Sequence, residues 1–192
     1  MEEFIHVSHG IFVGLPENVL PEERSSVIIL DCHEMGLTIL SDVIGDLPNL
    51  EKLNCSHNQL KSLPQSISKL SKLRVIDCSF NLLDEIPLEI CQLEHLELFG
   101  CNGNNLTELP LEICHLSRLS TLNCSFNRLK ILPPGFDRLT GLRILNCSNN
   151  RLTGLPREML HMFNLIEVDF RGNLFILELS WLTIQRTLLN FH

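Results

Sequence analysis

The feature that most constrains this chain is an internal repeat with a period of 23 residues. From Val27 the chain divides into consecutive units of this length without gaps, and the seventh unit, from Leu165, keeps only the pattern LIEVDFRGNLF. The first unit, VIILDCHEMGLTILSDVIGDLPN, is looser than those that follow it. One unit of this size cannot bury its own apolar face, so the repetition predicts a solenoid whose stacked coils share a core. The second to sixth units begin at Leu50, Leu73, Leu96, Leu119 and Leu142.

The spacing of apolar residues inside each unit predicts a strand and a returning arm. Positions 1, 4 and 6 are apolar, so a short strand there buries one side. Stacked strands of this kind form a parallel sheet, about 4.8 Å apart, along the inside of a curve. Apolar residues at positions 11, 14, 18 and 21 fill the same core from the returning arm. Proline at position 15 predicts the start of a short helical or 3-10 segment, where its missing N–H costs little.

These units resemble the leucine-rich-repeat family, with the pattern LxxLxCxxNxLxxLPxxIxxLxx over about residues 27–175. The resemblance implies an α/β fold: a right-handed curved coil with short parallel strands on the concave face and helical or 3-10 segments on the convex face. It also implies that the asparagines at position 9 form a ladder, in which side-chain amides bond backbone groups of adjacent coils. Met35 holds that position in the first unit, so we expect the ladder to begin in the second. The ladder residues are Asn58, Asn81, Asn104, Asn127, Asn150 and Asn173.

We expect a cap at each end of the repeat array, because a solenoid exposes its core there. We expect Trp181 or Phe191 to cover the last coil from an amphipathic helix. The prediction is a single domain over residues 1–192: a degenerate N-terminal repeat at 1–26, seven repeats at 27–175 and a C-terminal helical cap at 176–192. In the degenerate repeat, the residues matched to positions 4, 6, 9, 11, 14, 15 and 18 are Ile5, Val7, Gly10, Phe12, Leu15, Pro16 and Val19.

Six of the eight cysteines occupy position 6, which points into the predicted core. A free cysteine behaves there as a small apolar residue. In-register parallel strands also hold neighbouring side chains in a poor orientation for a disulfide. We therefore expect a reduced, buried ladder of thiols. Its members are Cys32, Cys55, Cys78, Cys101, Cys124 and Cys147.

The remaining two cysteines, Cys91 and Cys114, fall at position 19 and are expected to be partly exposed on the convex face. With Leu88 and Leu111 at position 16 they form a small apolar spot across two coils, the predicted convex contact. A disulfide between them is one alternative. A zinc site that uses His95 and His115 is another, although the tight ligand spacing of zinc sites is absent here.

Charge and thiol content indicate the cellular compartment of the protein and the classes of partner that it disfavours. The formal net charge of −8 disfavours nucleic acid and anionic membrane as partners. Residues 1–118 carry 7 Lys/Arg and 18 Asp/Glu, whereas residues 119–192 carry 8 and 5. So many free thiols indicate a reducing cytosol. The start, MEEFIHVSHGIFVGLPE, lacks the basic and apolar regions of a signal peptide, and no apolar run approaches the roughly 18 residues of a membrane span.

The concave face is the predicted binding surface, because the fold does not prescribe its residues. Positions 2, 3, 5, 7 and 8 are expected to face solvent there. They offer an apolar row, a stripe of Asp and Asn, and two aromatic side chains, Phe80 and Phe126, along one edge. The alternatives are that the two rings pack on neighbouring coils and that the stripe is only solvated. The predicted contacts are Val75, Asp77, Phe80, Leu98, Asn123, Phe126, Ile144 and Asn146.

The sequence points to a binding protein without cofactor or metal, and not to an enzyme. It carries no glycine-rich phosphate loop, nucleophile elbow or zinc-protease motif. The 23-residue LPxxI type resembles compact repeat proteins that intracellular bacteria secrete as effectors into host cells. If this chain is secreted in that way, we expect a route that does not use a cleavable signal peptide. The repeat type also resembles intracellular scaffolds that dock Ras-type GTPases or phosphatases. Either resemblance implies a protein partner; we expect a monomer, with a homodimer through the convex spot as the alternative.

Overall fold

The structure, a computed structural model, describes residues 11–175. Within this range, eight three-residue strands form one parallel sheet in chain order. The predicted C-terminal cap at 176–192 and the first part of the degenerate repeat, residues 1–10, lie outside the described residues. The strands are β1 (Ile11–Val13), β2 (Ile29–Asp31), β3 (Lys52–Asn54), β4 (Val75–Asp77), β5 (Leu98–Gly100), β6 (Thr121–Asn123), β7 (Ile144–Asn146) and β8 (Glu167–Asp169).

The register of the sheet confirms the 23-residue period from β2 to β8. Ile29 pairs with Lys52, and Lys52 pairs with Val75, so position 3 of each unit faces position 3 of the next. The strand residue at position 4 is buried in coils 1 to 6, as at Leu53 and Ile76, and half-buried at Val168 in coil 7. Repeated units thus become repeated coils, numbered 1 to 7 from Val27 to Leu165.

The predicted register of the N-terminal repeat is wrong. Phe12 was matched to position 11 of a unit, but it lies in β1 and pairs with Leu30, at position 4 of coil 1. The coil from β1 to β2 is therefore shorter than the others. The buried Phe12 ring takes the place of a position-4 leucine, and the Leu15-Pro16 dipeptide that suggested the full-length register begins a short 3-10 helix instead.

The returning arms contain 3-10 helices, and proline lies at the N-cap, directly before the first helical residue, of four of them, as at Pro87 and Pro110. Each of these arms buries the apolar residue at position 18, such as Ile90 and Ile113. Coil 5 differs because Gly135, with φ +78°, delays the helix. The helices are Pro16–Asn18, Arg24–Ser26, Asp42–Asp46, Gln65–Lys69, Leu88–Gln92, Leu111–His115, Phe136–Arg138 and Arg157–His161.

The predicted cysteine ladder is confirmed as part of the core. All six position-6 cysteines are free and buried between the strands and the returning arms. The thiols of Cys32, Cys78 and Cys124 contact backbone carbonyls of the following coil, as Cys78 Sγ does with the Gly100 oxygen at 3.2 Å. Sγ of Cys124 lies 3.3 Å from Sγ of Cys147. Burial raises the pKa of Cys32 to about 12 and also raises the pKa of Cys55, Cys78, Cys101 and Cys147, so these five thiols pack as neutral apolar groups.

The predicted asparagine ladder is also confirmed, and it begins in coil 2. Asn104 illustrates it: its Nδ2 donates to the carbonyls of Cys78 and Cys101 at 3.1 and 3.0 Å, and its Oδ1 accepts from the Leu83 N–H at 2.9 Å. In coil 1, Met35 makes no such bonds with its side chain; its backbone N–H donates to Oδ1 of Asn58 instead. Each amide therefore satisfies backbone groups of two coils where the chain leaves the strand.

Candidate protein-binding surface

Position 8 is left-handed in every coil from 1 to 7. The backbone φ there lies between 52° and 69°, a region that favours glycine and disfavours bulky side chains. The turn is held by a hydrogen bond between coils: the Phe80 N–H donates to the Asn102 carbonyl at 2.8 Å, and the Phe126 N–H donates to the Ser148 carbonyl at 2.9 Å. The residues are Glu34, His57, Phe80, Gly103, Phe126, Asn149 and Gly172.

Phe80 lies between its neighbours at position 8. Its ring stacks on the imidazole of His57, with 4.4 Å between ring centroids and 20° between the planes. On the other side, a Cβ atom added to Gly103 would meet Phe80 Cδ1 at 2.7 Å, so the ring covers that glycine closely. Phe80 is nevertheless 47% exposed. The ring therefore packs on neighbouring coils, as the alternative from the sequence proposed, and it also presents a face to solvent.

Phe126 is the more open of the two aromatic residues. It is 58% exposed. It lies two coils beyond Phe80, next to Gly103 along the position-8 column. A large apolar ring held open on a strained backbone turn contributes nothing to the core. Its exposure is of the kind that protein-binding surfaces use.

The predicted apolar row on the strands is present but interrupted. Val75 pairs directly with Leu98, whereas Thr121 separates Leu98 from Ile144. Leu98 and Ile144 are exposed, and Val75 is half-buried. The structure thus brings two of the three row residues together and leaves the third on the far side of a threonine.

The Asp and Asn stripe at position 5 is tied to serines at position 7. Oδ1 of Asn123 accepts hydrogen bonds from the backbone N–H and the hydroxyl of Ser125, at 3.2 and 2.8 Å. The prediction that position 7 faces solvent is wrong in four coils, because the short serine turns its hydroxyl back onto position 5 and is buried. The pairs are Asn54 with Ser56, Asp77 with Ser79, Asn123 with Ser125 and Asn146 with Ser148.

This pairing limits what the stripe can offer a partner. One side-chain oxygen of Asp77, Asn123 and Asn146 is engaged in the turn, and all three residues are half-buried. Within the range 11–175, the second polar atom of each side chain forms no hydrogen bond with the protein. The stripe therefore serves the fold and retains one donor or acceptor per coil for binding.

Ion pairs replace the serine contact in the outer coils. His33 Nδ1 lies 2.9 Å from Oδ1 of Asp31, which raises the pKa of His33 through that hydrogen bond. Arg171 Nη2 lies 2.8 Å from Oδ2 of Asp169 and lowers the pKa of that carboxyl. Both pairs are largely solvated, so they contribute charge to the concave face but little stability to the fold.

The convex spot differs from its prediction at one residue. Leu88 and Leu111 are 53% and 59% exposed on consecutive 3-10 helices, and Cys91 is half-buried beside them. Cys114 is only 3% exposed, so its predicted exposure is wrong. The altered arm of coil 5 covers it, with Cys114 Sγ 3.7 Å from the Pro134 carbonyl oxygen.

The histidines near this spot line a shallow groove with Cys91. His95 Nδ1 lies 2.6 Å from Nη1 of Arg118, a cation that would compete with a metal for that nitrogen. Burial, with a smaller contribution from Glu112, raises the pKa of Cys91 to about 12, which disfavours the thiolate that zinc requires. Over residues 11–175, no group of three or more His, Cys, Asp or Glu side chains is placed to hold a metal ion. Nor does this range contain a helix long and apolar enough to cross a membrane.

Comparison with known proteins identifies the fold family. Models of leucine-rich repeats match residues 48–90, 118–139 and 141–162. A solved leucine-rich-repeat protein of Leptospira interrogans superposes with a TM-score of 0.80 at 31% identity, over 86% of this chain and 43% of that one. The chain is a leucine-rich-repeat solenoid.

A second similar structure of this kind comes from a plant. It is the leucine-rich-repeat ectodomain of the membrane receptor kinase GASSHO1/SCHENGEN3 from Arabidopsis thaliana, in complex with CASPARIAN STRIP INTEGRITY FACTOR 2. The TM-score is 0.64 at 27% identity, over 69% of this chain and 16% of that one. The chain therefore spans less than half of either relative. No curated protein matches it.

Leucine-rich-repeat domains generally mediate protein–protein interaction, and the fold is typically a non-catalytic binding scaffold. Within this solenoid, the sequence did not reveal a set of residues at position 10 of each unit, which are exposed in coils 1, 2, 3, 5, 6 and 7. Leu82, Arg128 and Arg151 belong to it. The available signal was the recurrence of Gly and Asn at position 8, which indicates a left-handed turn and so places the residue two positions later on the same exposed loop.

Proposed function

We propose that this solenoid binds a partner protein through its concave face and through the edge that carries Phe80 and Phe126. One observation carries the proposal: both rings are exposed on left-handed backbone, where glycine and asparagine serve the turn with less strain. The conformation costs a bulky residue about 1–2 kcal/mol. Strain of this kind concentrates at functional sites, because a ligand contact can make up for it.

The surroundings of the two rings support a protein as the ligand. Leu98 and Ile144 add exposed apolar area on the strands, and the half-buried polar atoms of position 5 form a rim. Interfaces combine an apolar centre with such a rim. The ladders of buried Asn and Cys hold this surface rigidly, which lowers the ordering cost of binding.

The finer proposal is that the protein acts as an effector that a bacterium delivers into a host cytosol. The similarity to a leucine-rich-repeat protein of Leptospira interrogans supports this assignment. Eight free cysteines support a reducing compartment. The proposed location is therefore the host cytosol.

The test is affinity capture from eukaryotic cytosol under reducing conditions, followed by binding measurements with the purified candidate. The binding variant is Phe80→Glu/Leu98→Glu/Phe126→Glu, which places three carboxylates on the proposed surface. Its matched control is Leu88→Glu/Leu111→Glu, which charges the convex spot. Circular dichroism and thermal unfolding verify that both variants are folded.

We expect the control to retain the partner and the binding variant to weaken its affinity at least tenfold, about 1.4 kcal/mol. Equal affinity for wild type and binding variant would remove the concave face as the working surface. A partner that is also captured from bacterial lysate would contradict the effector assignment, and leave the binding function intact.

A second candidate is an intracellular scaffold or regulatory subunit that docks a GTPase, a phosphatase or another catalytic partner by its convex face. The exposure of Leu88 and Leu111 on adjacent helices favours it. In the same capture experiment, this function predicts the reverse result: the Leu88→Glu/Leu111→Glu variant loses the partner and the concave variant keeps it.

A further inference from the structure

A second column of side chains, exposed except for the half-buried Asn105, runs beside the position-8 column. Backbone hydrogen bonds between coils hold the column at position 10: the Leu82 N–H donates to the Leu60 carbonyl at 2.9 Å, and the Arg128 N–H donates to the Leu106 carbonyl at 2.8 Å. Its spacing is therefore that of the stacked coils. The column, called here the position-10 column, is Gln59, Leu82, Asn105, Arg128, Arg151 and Leu174.

The chemistry of this edge changes from coil 3 to coil 6. In coil 3, Leu82 is 43% exposed and follows the exposed Phe80 by two residues, so two apolar side chains are presented on the same loop. In coils 5 and 6, Arg128 and Arg151 are exposed, and Lys130 lies on the same loop as Arg128. Within the described part of the chain, none of these three cations has an ion-pair partner.

Acidic residues lie at the opposite end of the same edge. Asp84 and Glu85 follow Leu82 in coil 3, and Glu108 lies on the corresponding loop of coil 4. A carboxylate of a ligand is repelled there and attracted at Arg128 and Arg151. The edge therefore selects both the charge of a ligand and the direction in which it lies.

We propose that this edge binds an extended acidic segment of the partner protein. An apolar side chain of the segment packs on Phe80 and Leu82, and its carboxylates pair with Arg128 and Arg151 in the charge-assisted geometry that arginine provides. Coils stack about 4.8 Å apart, so coils 3 to 6 span roughly 14 Å, the length of four or five extended residues. This inference rests on the proposed function and adds the chemistry of the partner.

The test uses a phage-displayed library of random dodecapeptides, selected on the wild-type protein under reducing conditions. We expect enrichment of peptides that combine Asp or Glu with an apolar residue a few positions away. The synthetic peptides should weaken about tenfold or more on Arg128→Glu/Arg151→Glu. They should also weaken on Phe80→Ala, and lose affinity on wild type as salt rises.

Arg138→Glu/Arg157→Glu is the matched control, because it makes the same charge change in the same two coils on the convex side. We expect it to leave peptide affinity within about twofold of wild type, since surface charges beyond a Debye length are screened. A peptide with its acidic residues changed to lysine should bind the Arg128→Glu/Arg151→Glu variant better than wild type. That gain cannot come from misfolding.

Three results would overturn the inference: no enrichment of any sequence, enrichment of neutral or basic peptides, or acidic peptides that bind the Arg128→Glu/Arg151→Glu variant as well as wild type. The proposed function fails separately, when the purified partner binds the Phe80/Leu98/Phe126 variant unchanged. If that variant loses the partner while the Arg128→Glu/Arg151→Glu variant binds it unchanged, the concave face stands as the binding surface and the acidic segment is ruled out.

Discussion

The ring of Phe80 covers Gly103 so closely that a Cβ atom at Gly103 would lie 2.7 Å from Phe80 Cδ1. Gly103 also has a left-handed backbone, with φ +67°. Glycine is thus required there by the ring of the preceding coil and by its own turn. The pair shows how a side chain of the proposed binding edge depends on the identity of a residue 23 positions further along the chain.

Gly103→Ala should lower the free energy of unfolding by about 2 kcal/mol. About 1 kcal/mol comes from the left-handed backbone and the rest from displacement of the Phe80 ring. Urea denaturation measures the loss. In a Phe80→Ala background the same substitution should cost only the backbone part, and an undiminished loss there would show that the ring contact contributes nothing.

Phe126→Gly should raise the free energy of unfolding by about 0.5–1 kcal/mol, because glycine relieves the left-handed strain and the exposed ring loses little packing. The same variant should bind the partner more weakly. Phe126→Ala is the control, since alanine removes the ring and keeps a Cβ on the strained backbone. Urea denaturation and calorimetry report the two effects, and a destabilised Phe126→Gly protein would contradict the account of the turn.

Asn104→Ala should destabilise the protein by about 1–3 kcal/mol, because it leaves buried carbonyls and the Leu83 N–H without their partner. The neighbouring Asn105→Ala, at a half-buried position where the side chain makes no hydrogen bond within the described residues, should change stability by less than about 0.5 kcal/mol. Chemical denaturation of both variants checks the contrast. Equal effects would mean that the ladder adds no stability beyond that of a surface residue.

The thiol of Cys91 is only half-buried, so the reagent can reach it, but it should still react slowly with Ellman's reagent. Its pKa of about 12 leaves roughly a thousandfold less thiolate at pH 8 than the ordinary value of 9.0 would. The six ladder thiols, all enclosed, should react only on unfolding. Time-resolved mass spectrometry of the labelled protein tests this order. Fast labelling of Cys91 in the folded protein at pH 8 would show that its surroundings stabilise the thiolate.

His33 should titrate above its ordinary pKa because it donates to Asp31 in the folded protein. A raised pKa means that the pair stabilises the fold below the unfolded value, about 6.5, and that this contribution is lost as the pH rises through the folded pKa. Two-dimensional NMR of the imidazole measures the shift. Asp31→Asn should return the pKa of His33 towards its ordinary value, and an unchanged titration would exclude the pair as its cause.

Residues whose surroundings repeat from coil to coil could be predicted from the sequence. Asn104 and Cys101 occupy positions at which each coil supplies the same neighbours, so the period predicted the burial of Cys101 and the family resemblance implied the bonds of Asn104. The start of the ladder in coil 2 followed from Met35 in the same way.

Residues whose surroundings do not repeat could not be predicted. Cys114 is buried only because coil 5 carries Pro134 and Gly135 where other arms begin their helix. Phe12 lies in a shorter coil that has a full-length neighbour on one side. In both cases a local irregularity changed what the adjacent coil contacts.

The repeat pattern was enough to specify the solenoid, the register from β2 to β8 and the positions of the two buried ladders, because a strict 23-residue period forces equivalent residues into equivalent places. The tertiary structure alone decided the surface. It placed Phe80 between His57 and Gly103, turned the position-7 serines inward and set Arg128 and Arg151 without ion-pair partners among the described residues. Core positions contact copies of themselves, whereas surface side chains contact neighbours that differ in every coil, so their contacts follow from the packed coils and not from the repeat pattern.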